Sequence, residues 1–334
     1  MEITVTRAIL HILDFNAGIA LLSERELDLG NGSILAYLTK HLEKVSGDPG
    51  GQAGAFHDGS EFRDLLLAYS HGGTDFIAFS AAVAQRFFAA FSRSELPDPA
   101  DLLVCEAALD GSRVLALLKC ANKIGFTHQV ENTGGKIGNT IINHYAILPG
   151  PAQKLDEYAL IGLDTLSVKF GDKKRVVEGE EAFLIPERIL QCSSSVSPRS
   201  AIRLVNAIAG KVSENHGRSS AAAITKAKSL MVESAETSDY LDPVELGRQV
   251  FGDSRLLQEE YLREVQDAGL ADAVKVDKAF VEKKGKSHRI KTDTGIEVVF
   301  PVDYFENKHY MEFINNPDGT ISIQLKNIGK IVNK

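Results

Sequence analysis

A chain of 334 residues has room for two ordinary domains, and 44% hydrophobic with 25% charged residues excludes wholesale disorder. Lys and Arg number 37 against 45 Asp and Glu, a formal −8, which excludes a protein that coats DNA through bulk electrostatics. From the N-terminus, Ile3, Val5, Arg7, Ile9 and Leu13 alternate in the manner of a half-buried strand. Asn31-Gly32-Ser33 then opens a helix carrying Ile34, Leu35, Leu38, Leu42 and Val45, which ends at Gly47-Asp48-Pro49-Gly50-Gly51. The Gly-rich stretch to Gly59 reads as a solvated loop, with a mobile ligand lid as the other reading. Phe62, Leu65, Leu66 and Tyr69 mark a short helix, and Thr74 or Asp75 caps a longer one from Phe76 to about Arg93. Phe76, Phe79, Val83, Phe87 and Phe91 share one face of that helix and belong to a core. Phe88 lies off the line, which predicts an exposed ring and a homodimer contact.

Beyond residue 100 the period changes to two. Leu102–Leu109 and Ser112–Ala121 are strands joined by Asp110-Gly111, a strong hairpin signal. Further strand-like runs fall at Gly125–Val130, Thr140–Leu148 and Tyr158–Phe170, separated by turns at Thr133–Gly138 and Gly171–Lys174. The Ser-rich run from Gln191 to Pro198 is the best domain boundary. Helical patterns then cover roughly 199–216, 219–235, 243–251 and 254–268, with Asp242-Pro243 as a helix start. From about Arg289 strands return, and Asn316-Pro317-Asp318-Gly319 turns a hairpin between Tyr310–Ile314 and Ile321–Leu325. The fold class is therefore α+β: helices packed on an antiparallel sheet over 1–195, then over 196–334 a helical segment and a small C-terminal β unit.

A search for catalytic chemistry comes out nearly empty. Nine His residues are scattered without an HExxH or a Cys/His cluster at metal spacing, so neither a metal nor a cofactor is expected. His11 with Asp14 and His57 with Asp58 are single juxtapositions of a common kind. Thr133–Thr140 has some flavour of a phosphate loop, but it lacks the GxxxxGK[ST] order and leads into a strand, whereas a phosphate site needs a helix N-terminus. Three Cys cannot all pair and form no CxxC; with no secretory signal at Met1-Glu2-Ile3 and no bilayer-length apolar run, a reduced cytoplasmic protein away from membranes is expected.

The charge is unevenly placed. Residues 274–334 hold 11 Lys/Arg against 8 Asp/Glu, leaving 26 against 37 for the rest. Lys283, Lys284, Lys286, Arg289 and Lys291 put five cations in nine residues without an acid, at a helix-to-strand junction. Lys326 and Lys330 add a second basic series, with Lys334 at the end. Such a pattern serves either phosphate contact or a solvated surface turn, and Glu282 and Asp293 dilute its field.

Asp75-Phe76-Ile77-Ala78-Phe79-Ser80 with Ala84-Gln85-Arg86-Phe87, the strand pair Leu102–Cys105 and Val114–Leu118, and the ending Ile321–Lys326 together resemble the bacterial nucleoid-associated protein family of the YejK/NdpA type. The likeness runs in order over most of the chain and departs most between Pro198 and Gly269. It implies a non-enzymatic nucleoid protein that binds nucleic acid largely without reading sequence, duplex DNA before single strands or RNA. No catalytic residue carries over. The alternative is an acidic adaptor that reaches the nucleoid through a DNA-acting protein such as a topoisomerase. An enzyme built from scattered groups is the third reading, with Asp58, Glu61 and Asp64 as its first carboxylates.

Overall fold

The N-terminal alternation becomes a long strand, β1 (Ile3–Asp14), which turns back into β2 (Ile19–Leu21). The computed structural model describes the chain apart from residues 277, 279, 282–286, 302, 303, 305, 306, 308, 317–319 and 332–334. Two units separate in it, Met1–Ser195 and Val196–Lys334.

In the first unit seven antiparallel strands form one sheet, in the order β2-β1-β4-β5-β8-β9-β3. The remaining members are β3 (Gln52–Gly54), β4 (Ala100–Leu109), β5 (Ser112–Ala121), β8 (Glu157–Gly162) and β9 (Val168–Gly171). Asp110 and Gly111 join β4 to β5 with φ of 47° and 82°, the left-handed pair that a two-residue hairpin turn demands. Both faces of the sheet are covered, so β4 is buried almost throughout instead of alternating with polar residues. Leu103, Cys105, Leu118 and Leu160 point to one face, where α1 (Gly32–Ser46) lays Leu38, Leu42 and Val45. Asn31 caps that helix by accepting from the Ser33 N–H.

On the other face, Ile9, Leu102, Val104, Leu115 and Leu117 meet α2 (Glu61–Ser70), α3 (Phe76–Phe91) and a π-helical segment, Leu184–Leu190. Asp75 caps α3 through the Ala78 N–H at 2.9 Å. Phe76, Phe79, Phe87 and Phe91 are wholly buried, each contributing about 1.5–3 kcal/mol relative to an exposed ring. The predicted exposure of Phe88 fails: its ring stacks on Phe15 at 5.4 Å and is half-buried against the same core. Helix α3 therefore packs this ring in part against the unit's own core.

Three further expectations need correction. Tyr158–Phe170 is two strands, β8 and β9, because Leu163–Leu166 reverses the chain with a left-handed Leu166 (φ 55°). The runs around 125–148 form β6 (Lys123–Thr133) and β7 (Lys136–Ile147), a hairpin that stands outside the seven-stranded sheet, as does the short pair of β10 (Lys174–Val177) and β11 (Glu180–Phe183). The Gly-rich stretch is neither lid nor idle loop, for it contains the edge strand β3. A Cβ on Gly54 would lie 2.4 Å from the Ser193 carbonyl oxygen, so glycine is there to let two backbones close. Ser193 and Ser195 donate their N–H groups to the carbonyls of Ala55 and Ala53, and their hydroxyls accept from the same two residues' N–H groups.

The second unit starts with four helices: α4 (Pro198–Asn215), α5 (Ser220–Thr237), α6 (Pro243–Val250) and α7 (Arg255–Asp267). Asp242 caps α6 as its Asp-Pro start predicts, accepting from the N–H groups of Val244 and Glu245. Val205, Ala209, Met231, Leu246, Tyr261 and Val265 form the core between them. Beyond a two-residue pairing of β12 (Tyr240–Leu241) with β13 (Val274–Lys275), two hairpins follow. These are β14 (Ser287–Lys291) with β15 (Glu297–Pro301), and β16 (Met311–Asn315) with β17 (Ile321–Leu325). Phe300 and Phe313 join the two hairpins, their ring centroids 6.3 Å apart.

Candidate nucleic-acid interface

The register of β14 decides what its cations can do. Ser287 pairs with Pro301, Arg289 with Val299 and Lys291 with Glu297, so these alternate residues share one face. The opposite face carries Ile290, Val298 and the buried Phe300. Burial of that apolar side leaves Arg289 and Lys291 exposed, side by side. Glu297 is 4.0 Å from the Arg289 guanidinium with both side chains at least half exposed, a contact worth little against water. Both cations are thus free to meet a phosphate. Lys283, Lys284 and Lys286 lie outside the described residues. Lys326 is placed differently: half-buried just past β17, it is ion-paired with Glu312 of β16, so a phosphate would have to displace that carboxylate. Lys330 is exposed in the irregular segment that follows.

Charge divides sharply between the units. Met1–Ser195 holds 17 Lys/Arg against 25 Asp/Glu, the whole of the −8, while Val196–Lys334 is balanced at 20 against 20. The acidic unit nevertheless has a cleft lined by Arg86, Arg93, Arg188, Glu61, Glu178 and Gln191. Arg86 reaches Glu61 with both terminal nitrogens, at 2.9 and 2.8 Å. Among the described residues neither Arg93 nor Arg188 is in an ion pair. They come from the turn just past α3 and from the π-helix, 95 positions apart, so no linear scan would join them.

Of the carboxylates considered for an enzyme, Glu61 and Asp64 share the first turn of α2, where Glu61 is tied to Arg86, and Asp58 precedes the helix in an exposed turn. His11 is buried with Nδ1 accepting from the Ser23 N–H at 3.1 Å, and burial pushes it down to about 4. Asp14 instead accepts from the N–H groups of Asn16 and Ala17. Among the described residues no three His, Cys, Asp or Glu side chains are placed to hold a metal ion. The thiols are buried, and desolvation pushes Cys192 up to about 11, so it is no nucleophile near neutrality.

A buried charge cluster in the first unit is structural. Lys119 of β5 faces its register partner Glu157 of β8, Nζ to Oε2 at 2.8 Å, and Arg175 meets the other carboxylate oxygen at 2.6 Å. Both cations lie over the Phe91 ring, at 4.7 and 5.2 Å from its centroid. Asp172 sits nearby, accepting from the Ile185 N–H at 2.7 Å. Burial above all pushes its carboxyl up to about 7, against the pull of the N–H groups of Ile185 and Lys173.

Among the described residues no helix is long and apolar enough to cross a membrane. No curated protein sequence matches the chain. A family model described as nucleoid-associated protein YejK matches residues 9–332, through the large sheet, the four-helix segment and the hairpin with Arg289 and Lys291. Covering all but a few terminal residues, that match means that the chain belongs to the YejK family of nucleoid-associated proteins.

Proposed function

We propose that this nucleoid-associated protein binds nucleic acid directly, duplex DNA foremost, through phosphate contacts that do not read sequence. The observation that carries this reading is the exposed pair Arg289 and Lys291, held on one face of β14 in a family associated with the nucleoid. Lys283, Lys284 and Lys286 precede that strand directly in sequence and extend the basic series, and Lys330 adds a cation beyond β17. The balanced charge of Val196–Lys334 favours that unit over the acidic one as the seat of binding. No step of catalysis is assigned.

A titration of the purified chain on duplex DNA at several salt concentrations tests this. If three to five cations neutralise phosphates, log K falls against log[salt] with a slope of about −3 to −4.5. Arg289→Glu with Lys291→Glu should weaken binding on every sequence alike and flatten the slope by about 2. Charge reversal at Lys40, Lys44 and Arg63 should leave binding largely intact. No binding at low salt, or a slope shallower than about −1, would instead put the adaptor reading in front. One observation favours that second reading: Met1–Ser195 carries the whole net −8, a surface suited to a basic DNA-acting partner.

A further inference from the structure

Among the described strands of the first unit, the hairpin of β6 and β7 is the longer of two that stand outside the seven-stranded sheet, the other having strands of only four residues. Strands β6 and β7 have 11 and 12 residues, roughly 35 Å of extended chain, and among the described residues they pair only with each other. Two left-handed glycines, Gly134 and Gly135 with φ of 63° and 80°, turn the tip. Isolated two-stranded ribbons are marginal in water, since neither face is covered.

The register shows which side chains share each face. Phe126 pairs with Asn143, His128 with Ile141, Val130 with Asn139 and Asn132 with Ile137, so these alternate positions stand on one side, continued by Ile124 along β6. Ile124, Phe126, Val130, Ile137 and Ile141 are all more than 60% exposed. Five large apolar side chains on one face of one ribbon exceed the scattered exposure of an ordinary surface. The charged residues Glu131 and Lys136 fall at registers of the other face.

We propose that this apolar face of the β6–β7 arm is the docking surface for a second copy of the same chain, arm against arm about a two-fold axis. Charge selects the occupant. Among its described residues the face holds no Asp, Glu, Lys or Arg; its polar members are His128, Asn132, Asn139 and Asn143, so it lacks the fixed cations that hold a phosphate backbone and the fixed charges that would repel a second copy. An uncharged patch can meet itself across a two-fold axis without like-charge repulsion, as an isologous interface requires. Size agrees as well. Packing five such side chains against five more removes roughly 1,000–1,200 Å² of surface from water, at the lower edge of what specific dimers bury. Placement of the apolar contact on an arm also frees the sheet and helices of Met1–Ser195 from any part in it.

The test is the solution mass of the full chain by light scattering at tens of micromolar. The expected result is twice 36.3 kDa for the wild type. Ile137→Lys with Ile141→Lys should return the single-chain mass with an unchanged circular dichroism spectrum. Ile19→Lys, which removes an exposed apolar residue from β2 instead, should remain dimeric. Should the arm variant misfold, Phe126→Ser with Val130→Thr keeps strand-compatible side chains and carries the same expectation. A wild type of single-chain mass, or arm variants that stay dimeric, overturns the proposal. Arm variants that lose DNA binding while their mass is unchanged also overturn it, and give the face to nucleic acid. The oligomeric readout is independent of the phosphate contacts proposed above.

Discussion

Replacing Lys119 with Met isolates a wholly buried charge. The Lys119 side chain is wholly buried and Glu157 is 4% exposed, so neither can recover hydration when its partner is lost. Met keeps the length and the contact with the Phe91 ring but removes the ammonium. Breaking a buried pair generally costs about 3–5 kcal/mol, because the orphaned charge stays in a poor dielectric. Arg175 still holds Glu157 at 2.6 Å, so the lower end, about 3 kcal/mol, applies here. In a unit of this size each kcal/mol moves Tm by roughly 2–4 °C, which gives a fall of about 6–12 °C. Differential scanning calorimetry of Lys119→Met beside the wild type measures it. Lys40→Met is the control, since the Lys40–Glu43 pair is exposed and should be worth under about 0.5 kcal/mol. One molar NaCl should leave the Lys119 effect in place, as salt screens buried pairs far less than exposed ones. A Tm change below about 2 °C for Lys119→Met, or an effect that vanishes in salt, would refute the reasoning: the pair would then be hydrated.

Asp172 gives a pH signature. Its folded-state carboxyl titrates near 7, above the usual value, so between about pH 4 and 7 the folded chain binds more protons than the unfolded chain and stability falls as pH rises. Asp172→Asn should remove that slope, gaining stability over the wild type at pH 8, by at most a few kcal/mol, and matching it near pH 4; urea melts across this range would expose a pH-independent difference as the contrary result. Gly247→Ala should cost about 1–3 kcal/mol in the helical unit alone, since the new Cβ would lie 2.1–2.2 Å from two ring carbons of Tyr261; equal melting curves would mean that α6 shifts freely. The three buried thiols should resist a colorimetric thiol reagent in the native chain and react fully in denaturant, and fast native labelling of Cys192 would contradict its placement.

The elements legible in the sequence are those set by neighbours along the chain. Asp110-Gly111 and Asp242-Pro243 determine their turn and cap within two or three residues, whatever packs around them. The hydrophobic spacing of α3 likewise names its buried face. What stayed hidden depends on residues far apart. Gly54 is explained by Ser193, and Phe88 is covered by Phe15. Lys119 reads as one more polar position in a strand until register sets Glu157 opposite. The candidate interface divides in the same way. Alternation along β14 places Arg289 and Lys291 together from sequence alone, whereas the ion pair that engages Lys326 comes from the facing strand of its hairpin. For the β6–β7 arm, the strands were legible but their separation from the sheet was not, because period two is the same for a ribbon inside or outside a sheet.

The serine bonds along β3 bear on the order of events during synthesis. A strand at the border of a sheet invites further strands, and here the border is closed by Ser193 and Ser195, which supply both donors and acceptors to Ala53 and Ala55. That seal joins positions about 140 residues apart. A ribosome that has released β9 has already made every strand of the large sheet, yet the sheet's outer border stays open until the serines emerge. They emerge immediately before the first residue of the helical unit. The same short segment that divides the chain thus closes the first unit's template for misassociation just as the second unit starts to leave the tunnel.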